Sequence, residues 1–346
     1  MKTILIILDG ASEEKIKSLN NKTPLEYSYT PSLDEIIHKG KQEKTTFYPK
    51  DRMPDSLCCT LSILGVNENL IPKNRAYLEA LASDIEIEDN EVALRCNLIS
   101  INNNKLESFN GEGLSDRDMN IISNNIKVNE DIKFHHISSY RNILVINKKE
   151  ITSFFRDFPP HEYLGSNMNI LLEDIRNITV LKDFTEKNKF TINKREYMYY
   201  PWGVSEPVKL PSFFELYNKT CSCVCSAEII KGIGKAMKMD IPTLKKSTGD
   251  TDTDLREKAH IVLEEINSHD VVIAHINGTD EVSHRKDING KVKFIEKIDR
   301  EFISEIYKEN KNTKIIIISD HQTSSITGKH EKGLVDVIKF IPNNYK

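Results

Sequence analysis

Three short runs constrain the fold of this chain more than any other feature: "TILIILDG" at 3–10, "DVVIAHING" at 270–278 and "TKIIIISDH" at 313–321. Each is continuously apolar and rich in β-branched residues, without the alternation of a strand that keeps one face wet. Such runs suit strands of a parallel sheet covered on both faces. Each also ends in residues that carry chemistry: Asp9, then His275, then Asp320 and His321. Ligands in open α/β sheets bind beyond the carboxyl ends of the strands, so one sheet edge collects these side chains.

Helical patterns lie between the runs. "TPSLDEIIHKG" (30–40) has a Thr-Pro start and a Gly stop, and "DTDLREKAHIVLEEINSH" (252–269) carries apolar residues at helical spacing behind an acidic first turn. Strand, helix, strand in succession implies an α/β fold, a mostly parallel sheet flanked by helices. The stretch 84–165 reads differently, with short strands such as "EVALRCNLISI" and "NILVINKK" separated by Asn-rich turns. It is expected to be an inserted, smaller α+β domain, with residues 1–83 and 166–346 forming the core.

A length of 346 residues agrees with about two domains. The net charge of −4 gives no basic footprint for nucleic acid or an anionic membrane. No run approaches the roughly 18 apolar residues of a membrane span. "MKTILIILDG" is too short for a signal peptide and reads as a buried strand. Among the six cysteines, Cys58 and Cys59 are adjacent, Cys96 is isolated, and Cys221, Cys223 and Cys225 alternate as on one strand face. That spacing is no disulfide framework, so reduced thiols and a cytoplasmic location are expected. The oligomeric state is not legible.

The polar residues at the strand ends form the candidate site. Beyond Asp9, Asp320 and His321 stand Asp280 and His284, four residues apart, and His330, nine after His321. The Gly and Asn residues of "HINGTDEVSHRKDINGK" (275–291) fit a loop that turns sharply to aim Asp280 and His284 at one point. Carboxylates with imidazoles suit Zn²⁺ or Mn²⁺. Two such groups suit a pair of ions roughly 4 Å apart that clamps a phosphoryl group and activates a nucleophile. Taken singly, each Asp also fits a helix cap and each His a surface or core residue; on pattern alone both readings stand. "KGIGKAM" (231–237) lacks the spacing of a phosphate-binding loop and reads as an ordinary helix end.

A series of further segments, in order, resembles the archaeal-type cofactor-independent (2,3-bisphosphoglycerate-independent) phosphoglycerate mutases of the alkaline phosphatase superfamily. They include "KTPLEYSYTPSLDEIIHKG" (22–40), "MPDSLCCTLSILGV" (53–66), "NRAYLEA" (74–80), "SYRNILVI" (139–146), "PPHEYLG" (159–165), "PWG" (201–203), "STGDTDTDLREKA" (247–259) and "SDHQTSSITGKH" (319–330). The resemblance implies an alkaline-phosphatase-like α/β core and a serine nucleophile at Ser56 that also touches a metal. It implies two divalent ions, Mn²⁺ first and Zn²⁺, Co²⁺ or Mg²⁺ as alternatives. Asp9, Asp320 and His321 match the ligands of one, and Asp280, His284 and His330 those of the other.

The implied substrate is a small phosphorylated carboxylic acid, and the implied reaction interconverts 2- and 3-phosphoglycerate through a phosphoserine. Arg75, Arg95, Arg141 and His161, with Lys258 behind them, match positions that would receive it. Arginine's planar fork suits carboxylate and phosphate. The inserted domain would carry most of these and act as a lid.

The departures concern substrate more than metal. Leu57 stands where the family has Asp after the nucleophile, and "NRAYLEA" keeps its Arg and Glu79 but loses two Gly and a Pro. "FNGEGLS" (109–115) fits poorly to the family's Asp-x-x-Ala-Gly. A phosphohydrolase, a homoserine-kinase-like transferase, and a non-catalytic relative are the competing readings. Retention of the whole ligand set argues against the last.

Overall fold

The structure is a computed structural model describing residues 1–151, 155–309 and 312–342. The chain forms two compact units, Met1–Ile71 with Lys209–Lys346, and Pro72–Val208.

The first unit is built on a six-stranded sheet. Its order is Lys41–Thr45, Val335–Phe340, Lys314–Ser319, Thr3–Leu8, Val271–Ile276 and Cys221–Val224. The last four are mutually parallel, Val335–Phe340 runs antiparallel to them, and Lys41–Thr45 pairs antiparallel with it at the edge. Thr3–Leu8 lies between the other two apolar runs, and its Leu8 pairs with both Ile276 and Ser319. That shared register brings the carboxyl ends of three strands to one level, where Asp9, Asn277 and Asp320 leave the sheet.

Continuous burial explains the lack of alternation. All six residues of Val271–Ile276 are buried, and Ile4, Ile6, Val272, Ala274, Ile315 and Ile317 share a core with Leu255, Val262, Phe294 and Phe302 from the covering helices. The edge strand Lys41–Thr45 is exposed and charged, which discourages pairing with another sheet.

The helix expected at 30–40 spans Pro31–Lys39, with Pro in its first turn and Gly40 at its end. The one expected at 252–269 spans Leu255–Ser268, and the Asp254 side chain caps it by accepting from Glu257 N. "KGIGKAM" falls mainly in the last turns of the helix Glu228–Ala236. All six cysteines are buried thiols.

One local expectation is corrected. The segment carrying Asp280 and His284 is not a loop but a helix, Gly278–His284. Spacing of four puts both side chains on one helical face, and Asp280 and Glu281 in the first turn favour the helix dipole. Gly278 is there for close approach, since a Cβ on it would lie 2.5 Å from the Phe294 ring.

The second unit holds an antiparallel sheet in the order Ile132–Ser138, Arg141–Asn147, Glu91–Asn102, Arg195–Ser205 and Phe190–Ile192, with Lys105–Ser108 paired to Glu91–Asn102. It begins at Pro72 and ends at Val208, so the boundaries expected at 84 and 165 fall inside it. The reason is packing at both margins. Helix Ala76–Ala82 places Ala76 and Ala80 against Ala93, Ile143 and Val145. Met168, Leu171, Ile175, Leu181 and Phe184 complete the main core of this sheet, and Arg195–Ser205 is one of its inner strands. Among the described residues no helix is long and apolar enough to cross a membrane.

Candidate metal centre

Asp9, Asp320 and His321 present ligand atoms that all lie within 4.8 Å of one another, and all three are fully buried. His321 Nε2 is 3.2 Å from Asp9 Oδ1 and 3.5 Å from Asp320 Oδ2. Asp320 is aimed by its own turn, because Oδ1 accepts from Gly10 N at 3.0 Å and from His321 N at 2.9 Å. Among the described residues its Oδ2 is buried without a hydrogen-bond partner.

Ser56 is the first residue of the helix Ser56–Ile63, whose N-cap Asp55 accepts from Cys58 N. From there its Oγ lies 3.2 Å from Asp9 Oδ2 and 3.4 Å from His321 Nε2.

A second group joins Asp280 to His330 and again His321, with ligand atoms within the same 4.8 Å. His330 Nε2 is 3.4 Å from Asp280 Oδ1. His284, expected in this group, approaches the other oxygen, with Nε2 3.1 Å from Asp280 Oδ2. His321 thus stands in both groups, and its ring centroid is 4.3 Å from that of His330.

The imidazoles have defined proton positions. His284 Nδ1 faces the Gly328 carbonyl at 2.9 Å and His330 Nδ1 faces the Pro54 carbonyl at 3.0 Å. A carbonyl only accepts, so Nδ1 carries the proton and the neutral ring keeps its lone pair on Nε2, toward Asp280.

The electrostatics favour positive charge at this edge. Burial opposes an imidazolium at His321, yet Asp320, Asp9 and Asp280 overcome it and hold its pKa at about 10. A hydrogen bond to Asp280 raises His284 to about 9. Burial and the neighbouring Asp9 push Asp320 up to about 6. Three converging carboxylates need compensating cations, and ions or imidazolium protons can supply them. Oxygen and imidazole donors, with Asp320 Oδ2 and His330 Nε2 buried and without a hydrogen bond among the described residues, fit a divalent cation at each group.

Three supporting groups surround the carboxylates. Thr279 donates its hydroxyl to the Asp9 carbonyl. His275, fully buried, puts Nε2 3.3 Å from Asp9 Oδ2. Thr323 donates to Asp280 Oδ1 at 2.6 Å. His275 was legible as a strand end, whereas Thr279 and Thr323 are unremarkable in sequence and reach the carboxylates only through the fold.

The expected substrate receptors are divided between the units. In the second unit Glu79 holds Arg95 through Nε at 3.0 Å and faces Arg75 Nε at 3.8 Å. Arg95 lies 4.4 Å above the Trp202 ring, and His161 meets the same ring edge-on at 6.0 Å. Burial, with Arg75 and Arg141 nearby, lowers the Arg95 pKa against the pull of Glu79. Arg141 donates to Ser138 Oγ at 3.1 Å and stands opposite Asn97 in the sheet. Lys258 belongs to the first unit, is 1% exposed, and donates to the His275 carbonyl at 3.1 Å. No surface is left on it for a substrate: rather than a receptor, it is a core lysine tethering helix Leu255–Ser268 to strand Val271–Ile276.

A family model described as the metalloenzyme superfamily matches residues 1–343. Among curated relatives, a 2,3-bisphosphoglycerate-independent phosphoglycerate mutase of Methanosarcina barkeri is 27% identical over 93% of this chain and 86% of its own. A protein of the same name from Saccharolobus solfataricus is 28% identical over 99% of this chain and 88% of its own. The solved structure of the PH0037 protein from Pyrococcus horikoshii superposes with a TM-score of 0.79 at 21% identity, covering 98% of this chain and 87% of its own. The cofactor-independent phosphoglycerate mutase of Thermoplasma acidophilum gives 0.61 at 19%, covering 99% and 90%. These two likenesses bear on the fold.

Proposed function

The chain belongs to the metalloenzyme superfamily, and from that premise we propose that it is a two-cation phosphoryl-transfer enzyme interconverting 2- and 3-phosphoglycerate through a phosphoserine at Ser56. The observation that carries the reading is the placement of Ser56 Oγ, 3.2 Å from Asp9 Oδ2 and 3.4 Å from His321 Nε2, on a helix start beside two donor groups. The names of the curated relatives support the choice of substrate.

Asp9, Asp320 and His321 would hold one divalent cation, and Asp280, His284 and His330 the other. Cations bound there lower the proton affinity of the serine hydroxyl and offset charge on the transferring phosphoryl oxygens. In the first half-reaction Ser56 Oγ releases its hydroxyl proton and forms a bond to phosphorus, while the bond from phosphorus to the glycerate oxygen breaks and that oxygen takes up the released proton. The second half-reaction reverses these steps at the neighbouring hydroxyl of the same glycerate. Arg75, Arg95, Arg141 and His161 are proposed to receive the carboxylate and phosphate of the substrate, and the second unit to serve as the substrate-binding domain.

One observation favours another phosphate ester. Leu57, directly after the nucleophile, is buried at 3% exposure and offers no polar contact. A phosphohydrolase or a homoserine-kinase-like transferase is therefore the second reading. Purified protein loaded with Mn²⁺ and given 3-phosphoglycerate separates the two. Formation of 2-phosphoglycerate supports the mutase. Free phosphate without 2-phosphoglycerate, or ATP-dependent phosphorylation of homoserine, replaces it.

A further inference from the structure

The two donor groups are joined by a residue that the proposed mechanism does not use. Thr323 is fully buried, and its hydroxyl lies 2.6 Å from Asp280 Oδ1 and 3.1 Å from His321 Nδ1. An ionised carboxylate only accepts, so the single hydroxyl proton goes to Asp280. The oxygen then has lone pairs to offer His321, which must carry its proton on Nδ1. The Nε2 lone pair of the neutral ring is thereby directed at Asp9, Asp320 and Ser56. One hydroxyl orients a ligand from each group.

The surroundings hold this hydroxyl in place. Thr323 is paired in register with His330 in the short ladder between Gln322–Thr323 and His330–Glu331. Its carbonyl accepts from Lys291 Nζ at 2.7 Å, and the same ammonium meets Glu13 Oε2 at 3.0 Å with both groups buried. Glu13 in turn accepts from Ser325 N at 2.6 Å. Gly10 leaves the room. A Cβ there would stand 2.5 Å from Thr323 Oγ1 and 2.7 Å from Asp280 Oδ1.

We propose that Thr323 is a positioning residue that couples the two cation sites, fixing Asp280 and His321 through one shared hydroxyl so that neither site takes its ligand geometry independently of the other. The inference rests on the two-cation reading of the centre. A coupling device differs from a simple structural support because its loss weakens both sites and a hydroxyl restores them.

The test uses the full chain, stripped of metal and titrated with Mn²⁺. Thr323→Val keeps the shape and removes the hydroxyl, and Thr323→Ser keeps the hydroxyl. In Thr323→Val both binding steps are expected to weaken by about 10- to 100-fold, the usual effect of losing an outer partner of a ligand. Thr323→Ser is expected to titrate as the wild type. If either step keeps wild-type affinity in Thr323→Val, the coupling is overturned. Serine failing to restore the affinities overturns it as well. Circular dichroism and urea midpoints of the metal-free chains establish folding, and Thr323→Ala carries the same comparison if the valine chain does not fold. A wild-type chain that takes up no Mn²⁺ overturns the two-cation reading itself, a result distinct from a wild type that binds and a valine variant that binds equally.

Discussion

His330 gives its Nδ1 proton to the main-chain carbonyl of Pro54, 3.0 Å away and two residues before Ser56. One imidazole thus faces Asp280 with Nε2 and braces the turn that presents the nucleophile with Nδ1. Replacing it by Ala should do more than weaken a cation site. Because misplacement by about 1 Å can cost 10²-fold, kcat is expected to fall about 100-fold even at saturating Mn²⁺. Recovery of full kcat at high Mn²⁺ would show that the Pro54 contact is idle.

Ser56→Ala removes the proposed nucleophile while leaving the buried carboxylates in place. Phosphoryl transfer should drop by about 10³-fold or more. Acid-quenched wild type exposed to labelled phosphoglycerate should retain label on Ser56, and the variant should retain none. Label of equal intensity in both proteins would move the nucleophile elsewhere.

The buried Lys291–Glu13 pair predicts an asymmetry in stability. Lys291→Met leaves the Glu13 carboxylate without its counter-charge, and breaking one side of such a pair costs about 3–5 kcal/mol. Adding Glu13→Leu to the same chain should recover part of that loss. Urea midpoints of the wild type, the single variant and the double variant decide it, and a harmless Lys291→Met would refute the account of the pair.

Lys258 gives a pH dependence. Burial lowers its pKa to about 8, below the ordinary lysine value of about 10.4. Between these values the folded chain has released the proton and the unfolded chain still holds it, so unfolding takes up a proton. Stability from this residue therefore rises as pH increases through that window, and below it the full cost of burying the ammonium applies. Wild type should gain stability relative to Lys258→Met between about pH 8 and pH 10. Parallel denaturation curves across that range would contradict this.

Much of the first unit was legible because the cause was local. Unbroken apolar runs ending in Asp or His announce covered parallel strands, and the Thr-Pro and Gly signals delimit Pro31–Lys39. The donor residues were legible as residue types at strand ends. What sequence hid depends on register and packing. Asp280 to His284 looked like a loop because Gly278 and Asn277 are loop formers, yet Gly278 is small to admit Phe294. The margins of the second unit were misplaced because strand Arg195–Ser205 pairs with Glu91–Asn102 across about a hundred residues of chain, and no local pattern records that partner. Lys258 was expected as a receptor because it matches a position of the resembled family, and sequence gives no sign that helix packing will enclose it. Thr323 matters only through two contacts that arise after folding.

The central position of Thr3–Leu8, between Val271–Ile276 and Lys314–Ser319, also sets a schedule for synthesis. This first strand leaves the ribosome with both edges unpaired, and its neighbours follow only after the second unit has been made. Gly10 and Asp320, which share a hydrogen bond, are 310 positions apart. Non-local pairings of this kind form slowly and leave strand edges exposed meanwhile. A nascent chain can present Asp9 and Ser56 early, but it has no complete cation site until His321 has emerged and no second one until His330, so chains stopped short of that point should be the ones that aggregate.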